Sequence, residues 1–155
     1  MTPSDEAIAA LERAFARVPR PPDAQLLHPD ASDDGDLQGL YPYADWRDVP
    51  DEVLEREYAA LSFLSADGFR CFVAAYLRFA LRHPESGAAA VDSTIWAFVP
   101  DMYRPDLAAF VRSKYGRLDG AQRRAVQMAL ESLAAFPDLD AGRALTAWRA
   151  EEVRP

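Results

Sequence analysis

The chain is constrained most by one stretch in which Phe69, Phe72, Val73, Tyr76, Leu77, Ala80 and Leu81 recur at positions i, i+3, i+4, i+7, i+8, i+11 and i+12. That spacing puts all seven on one side of a 3.6-residue helix, and a strand cannot gather them on one face. Ser65 stands where an N-cap belongs, and His83-Pro84 closes the other end. A helix carrying this much apolar surface must lie against others, so the rest of the chain has to supply its neighbours.

The flanking segments read the same way. Ser4, Asp5 and Glu6 start a first helix over residues 5–17, with Ile8, Leu11, Phe15 and Val18 as its stripe, ended by Pro19, Pro21 and Pro22. Pro50 sits at a first-turn position, and Val53, Leu54, Tyr58 and Leu61 continue at helical spacing. Ser86 to Val99 is a further helix with Val91, Ile95, Phe98 and Val99 inward and Pro100 as the stop. Leu107, Phe110, Val111 and Tyr115 mark another, and Asp119 caps one carrying Val126, Ala129, Leu130, Leu133 and Phe136. Asp140 opens the last, with Leu145 and Trp148. No run alternates in the manner of a strand, and no internal repeat occurs. The expected fold is all-α: one compact domain, residues 1–155, of about six or seven helices, with a helical body over 50–152.

Residues 19–49 break this pattern. They hold five prolines, two glycines and no sustained period, so they form a long irregular connection of the kind that is functional or disordered. From Asp23 to Glu57 there are eleven Asp/Glu against Arg47 and Arg56, while the whole chain has a net charge of -8. The remainder is therefore nearly neutral. Interleaved with the acids are Tyr41, Tyr43 and Trp46, which makes the segment a candidate face for a cationic partner. Asp33, Asp34 and Asp36 would steer the encounter, and Tyr41, Tyr43 and Trp46 would anchor it. Equally, Trp46 can pack the loop onto the helices.

Signals for chemistry are weak. Asp30, Ser32, Asp34 and Gly35 match the start of a calcium loop, but Tyr41 stands where the bidentate Glu is needed and the prolines deny an entering helix, so a solvated turn is the simpler reading. His28 with Asp30 and Asp33 could contribute to a divalent site, although a histidine beside a proline in a loop is more often a surface residue. His83 suits a helix C-terminus. Neither histidine has transition-metal spacing, no nucleophile elbow or phosphate loop is present, and Cys71 lies in the apolar helix, where a thiol is inert. No catalytic residue, metal or cofactor is expected. Arg112, Lys114, Arg117, Arg123 and Arg124 form a basic stretch, read as solvated helix ends or as a dock for the acidic segment.

A single cysteine, an N-terminus without an apolar core and the lack of a long apolar run point to a cytoplasmic protein that binds no membrane. The acidic balance disfavours nucleic acid. A basic protein is the expected partner, and the leading reading is an interaction module, immunity or antitoxin-like. Two rivals use the same residues differently: a carboxylate-based or metal-dependent hydrolase working through the loop, and a homo-oligomeric structural protein with Trp148 as a dimer contact.

The order of Asp33-Asp-Gly-Asp36, Trp46-Arg-Asp-Val-Pro50, Phe63-Leu-Ser-Ala-Asp-Gly-Phe-Arg70, Ala75-Tyr-Leu77 and Asp92-Ser-Thr-Ile-Trp96 resembles a family of small bacterial proteins known as a domain of unknown function. The resemblance spans about Leu11 to Phe136. It implies a bacterial source and a mostly helical domain, and it assigns no activity or catalytic residue.

Overall fold

The computed structural model describes residues 1–28 and 37–152. Among them there are eight α-helices and no strand: α1 Pro3–Ala14, α2 Asp51–Arg56, α3 Ala60–Phe63, α4 Ala66–Arg82, α5 Ala89–Trp96, α6 Pro105–Tyr115, α7 Gly120–Leu133 and α8 Ala141–Glu152. The all-α expectation is correct. Short 3-10 turns at Asp23–Gln25, Gln38–Leu40, Trp46–Asp48, Pro100–Met102 and Pro137–Leu139 carry the chain between them.

Helix α4 is the axle. Ser65 accepts from the Gly68 amide at 3.1 Å to start it, and every residue from Cys71 to Leu81 is buried, the charged Arg78 included. A helix buried on all sides has lost its solvent face, so α1, α5, α6 and α7 all pack against it. Cys71 lies within this contact, where burial pushes its thiol up to about 11. Between α5, α6 and α8 the rings of Phe98, Tyr115 and Trp148 close the core: Phe98 stacks on Tyr115 at 5.9 Å, and Trp148 meets both edge-on at 5.5 and 4.9 Å. Trp148 is 0% exposed. The expected dimer contact through this ring is therefore corrected: it is core.

Helices α1 and α7 lie antiparallel. Ser4 Oγ is 2.7 Å from Ser132 Oγ at one end, and Gln122 Nε2 donates to the Ala14 carbonyl at 3.2 Å at the other. Each helix opens with a capping box, Thr2 with Asp5 and Asp119 with Gln122. The first cap is thus Thr2, two residues ahead of the expected Ser4, because Pro3 takes the first helical position.

The stretch from Pro50 to Leu61 departs from expectation. It is not one helix: α2 ends at Arg56, Glu57 leaves the helical region at φ -94°, ψ 42°, and α3 begins at Ala60. The Glu57 carbonyl is taken by the buried Tyr76 hydroxyl at 2.6 Å and by the Ala60 amide at 3.1 Å. Tyr58, placed on the apolar stripe by its spacing, is exposed at this break.

Candidate interaction surface

The acidic segment from Leu37 to Glu57 has its own attachments to the helical body. Its described part begins with the 3-10 turn at Gln38–Leu40, whose Leu37 and Leu40 are fully buried. Gly39 sits so close to Glu57 that a Cβ there would come within 2.8 Å of its side chain. Farther along, Trp46 is 3% exposed, and its indole N–H donates to the Phe15 carbonyl at 3.0 Å, just past the end of α1. Burying an indole usually demands such a partner.

Two arginines complete the attachment. Arg20 Nε donates to the Tyr43 carbonyl at 2.9 Å, Nη2 to the Tyr41 carbonyl at 2.8 Å, and Nη1 to the Pro21 carbonyl at 2.8 Å, while Asp23 balances its charge at 2.7 Å. The planar fork suits this work, since it offers several donors in fixed directions. Arg78, in the middle of α4, lies 4.7 Å from the centre of the Trp46 ring and donates to the Arg47 carbonyl at 3.1 Å. Its remaining charge meets Glu12 at 3.7 Å. An arginine surviving in a helix as apolar as α4 is the sequence signal for this clamp; Arg20, set among prolines, leaves none.

What this strap presents outward is carboxylate. Asp48, Glu52 and Glu55 are exposed and have no ion-pair partner among the described residues. Asp45 caps the turn at Trp46–Asp48 and binds Arg47 through both oxygens, at 2.7 to 3.2 Å; these hydrogen bonds hold its carboxyl below the ordinary range. Asp51 meets His83 Nε2 at 3.0 Å, so that histidine does sit at the C-terminus of α4, as expected, and ties it to α2. Glu57 is buried beside Arg56 at 3.3 Å.

The residues proposed from sequence therefore separate. Tyr41 and Tyr43 are half-buried, each packed by part of its ring on the core. Trp46 is corrected from surface anchor to core residue. Asp33, Asp34 and Asp36 lie outside the described residues, as do Asp30, Ser32 and Gly35 of the calcium-like stretch. Among the described residues no three His, Cys, Asp or Glu side chains gather in a metal-binding arrangement, and no helix is long and apolar enough to cross a membrane.

The basic stretch also separates. Arg112 bonds Glu151 at 3.0 Å and Asp101 at 3.1 Å, Arg123 bonds Glu152 at 2.9 Å, and Arg117 faces Asp67 at 3.6 Å. None of these reaches the acidic strap. Lys114, the chain's only lysine, is not solvated at all: it is 2% exposed. Its Nζ donates to the Leu61 carbonyl at 2.7 Å and lies 4.4 Å from the Phe110 ring centre and 5.7 Å from that of Phe69. Burial drives its pKa down to about 7. A cavity of about 10 Å³ adjoins it, room for one water.

No curated protein matches the chain, and no solved structure does. A family match does exist, and it spans residues 3–152, from the first residue of α1 to the last of α8. The chain belongs to DUF6714, a family of unknown function.

Proposed function

We propose that the protein is an interaction module that offers its acidic strap to a basic protein partner, in the manner of an immunity or antitoxin-like protein within a bacterial cytoplasm. The observation that carries this reading is the combination of a fixed backbone with unpaired charge. Arg20 and Arg78 hold the strap at three carbonyls and the Trp46 ring face, and the Trp46 indole ties it to the Phe15 carbonyl, while Asp48, Glu52 and Glu55 stay exposed with no ion-pair partner among the described residues. A backbone held this way loses little freedom on binding, and the carboxylates it carries raise the rate at which a cationic surface is met. The exposed parts of Tyr41 and Tyr43 supply ring surface beside them.

The test compares affinity purifications from the native host using wild type and an Asp48→Asn, Glu52→Gln, Glu55→Gln variant. The expected result is a cationic protein recovered with wild type and depleted with the variant, whose association with the purified partner slows most at low salt. Recovery of the same proteins in the same amounts by both forms would sink the reading.

A further inference from the structure

The outer face of the α1/α7 pair is laid out as two halves of opposite charge. On α7, Ala121, Arg124, Met128 and Glu131 follow one another at steps of three, four and three residues, the spacing of a helix seam, and Ala135 lies just past the end of the helix. On α1, Glu6, Ala10 and Arg13 follow at steps of four and three. Because the helices are antiparallel, like charges gather. Glu6 and Glu131 line one groove of about 490 Å³ near the start of α1, and Arg13 and Arg124 line a second of about 310 Å³ near its end. Met128 lines both, so it stands at their junction.

Within one molecule this grouping is unfavourable. Like charges on neighbouring positions repel by a few tenths of a kcal/mol. Glu6, Arg13 and Arg124 have no ion-pair partner among the described residues; Glu131 has Arg149 at 3.5 Å and Gln127 at 2.9 Å, both exposed contacts. Between them the lining is mostly alanine, Met128 and the serine pair, with Pro3 and Phe136 in the first groove, low enough for another helix to approach.

We propose that this face is the contact between two copies of the chain. A twofold axis through Met128 would set the Glu6 and Glu131 end of one copy on the Arg13 and Arg124 end of the other, twice over, and place the two Met128 side chains together. Such an isologous contact requires a patch complementary to itself, and a sign reversal about a small apolar centre is that property. A helix of a different protein would need the same charges in the same order by coincidence. The paired helices are short, so the dimer is an exchanging one.

Sedimentation velocity on the full chain from about 1 µM to about 1 mM tests this. Wild type is expected to pass from monomer to dimer. Arg124→Glu, at an exposed residue with no ion-pair partner among the described residues, is expected to weaken the dimer by about tenfold or more; adding Glu131→Arg to the same chain should restore it. Mixing the Arg124→Glu and Glu131→Arg single variants should give a heterodimer that neither forms alone. Circular dichroism melts confirm that each variant is folded. A wild type that stays monomeric over the whole range overturns the proposal and leaves the face to another polypeptide. A dimer indifferent to Arg124→Glu and to Met128→Arg overturns it as well.

Discussion

The indole N–H of Trp46 reaches the carbonyl of Phe15 at 3.0 Å, joining the acidic strap to the end of α1 across 31 residues of sequence. That carbonyl lies just beyond the last residue of α1, where the helix has no amide of its own to offer. One bond thus satisfies a helix end and a buried indole together. The ring's other duty is to carry the Arg78 guanidinium on its face.

Replacing Trp46 should therefore act on stability. Trp46→Ala is expected to cost about 3–5 kcal/mol, the usual range for a large buried ring. Trp46→Phe keeps most of the ring and loses the hydrogen bond, for about 1 kcal/mol plus the unpaired carbonyl. Urea denaturation read by circular dichroism gives both numbers, and a Trp46→Ala midpoint equal to wild type would contradict the burial.

Gly68 offers a case where helix propensity and packing disagree. Alanine is favoured over glycine inside a helix by about 1 kcal/mol. At Gly68, however, a Cβ would lie 2.9 Å from the backbone oxygen of Leu26, which cannot swing aside as a side chain could, since it accepts from the Ser65 amide at 2.7 Å. Gly68→Ala should lower the melting temperature, by the equivalent of about 1–3 kcal/mol. A gain in stability would mean that the loop at Leu26 yields freely.

Lys114 predicts a pH dependence with a definite sign. Its pKa is lowered on folding from 10.5 to about 7, so between those values the unfolded chain binds more protons than the folded one. Stability then rises with pH through this window, and the part lost is lost as pH falls toward 7. Cys71 contributes the opposite slope above its unfolded value of 9.0, which confines a clean reading to pH 7–9. Across that interval wild type should gain stability and Lys114→Met should show a flatter profile. Parallel profiles would show that Lys114 is not the titrating group.

Arg20 tests the strap without touching the core. Arg20→Lys keeps the charge opposite Asp23 but cannot place separate donors on Tyr41, Tyr43 and Pro21. Hydrogen exchange should quicken at the amides of Leu40 to Tyr43 while those of α4 stay protected. Equal exchange in both forms would show that Arg20 is not what holds this part of the strap.

How far the sequence foretells these arrangements depends on the kind of signal. The long helix α4 is legible because its apolar period, its Ser65 cap and the His83-Pro84 stop all agree. The break at Glu57 is not, since Val53, Leu54, Tyr58 and Leu61 keep helical spacing straight through it and no glycine or proline marks it. The Tyr76 hydroxyl that engages the Glu57 carbonyl comes from 19 residues away. Trp46 is ambiguous for a related reason: in an irregular segment no period tells an inward ring from an outward one. Lys114 was hidden by its neighbours, because Arg112, Arg117 and Arg123 do lie at the surface in ion pairs and the stretch reads as one basic patch. Only the helical phase of α6, with Val111 and Tyr115 inward, hints that residue 114 turns inward too.

With its single lysine enclosed between Phe69 and Phe110, the folded chain shows no lysine amine to solvent. Acylation of lysine, or the attachment of a tagging protein through it, therefore has no exposed side-chain amine to react with on a native copy of this chain. A chain that opens exposes its one site, at the pKa of an ordinary amine. Marking for removal by that route would thus discriminate by conformation, sparing folded molecules and reaching the misfolded ones.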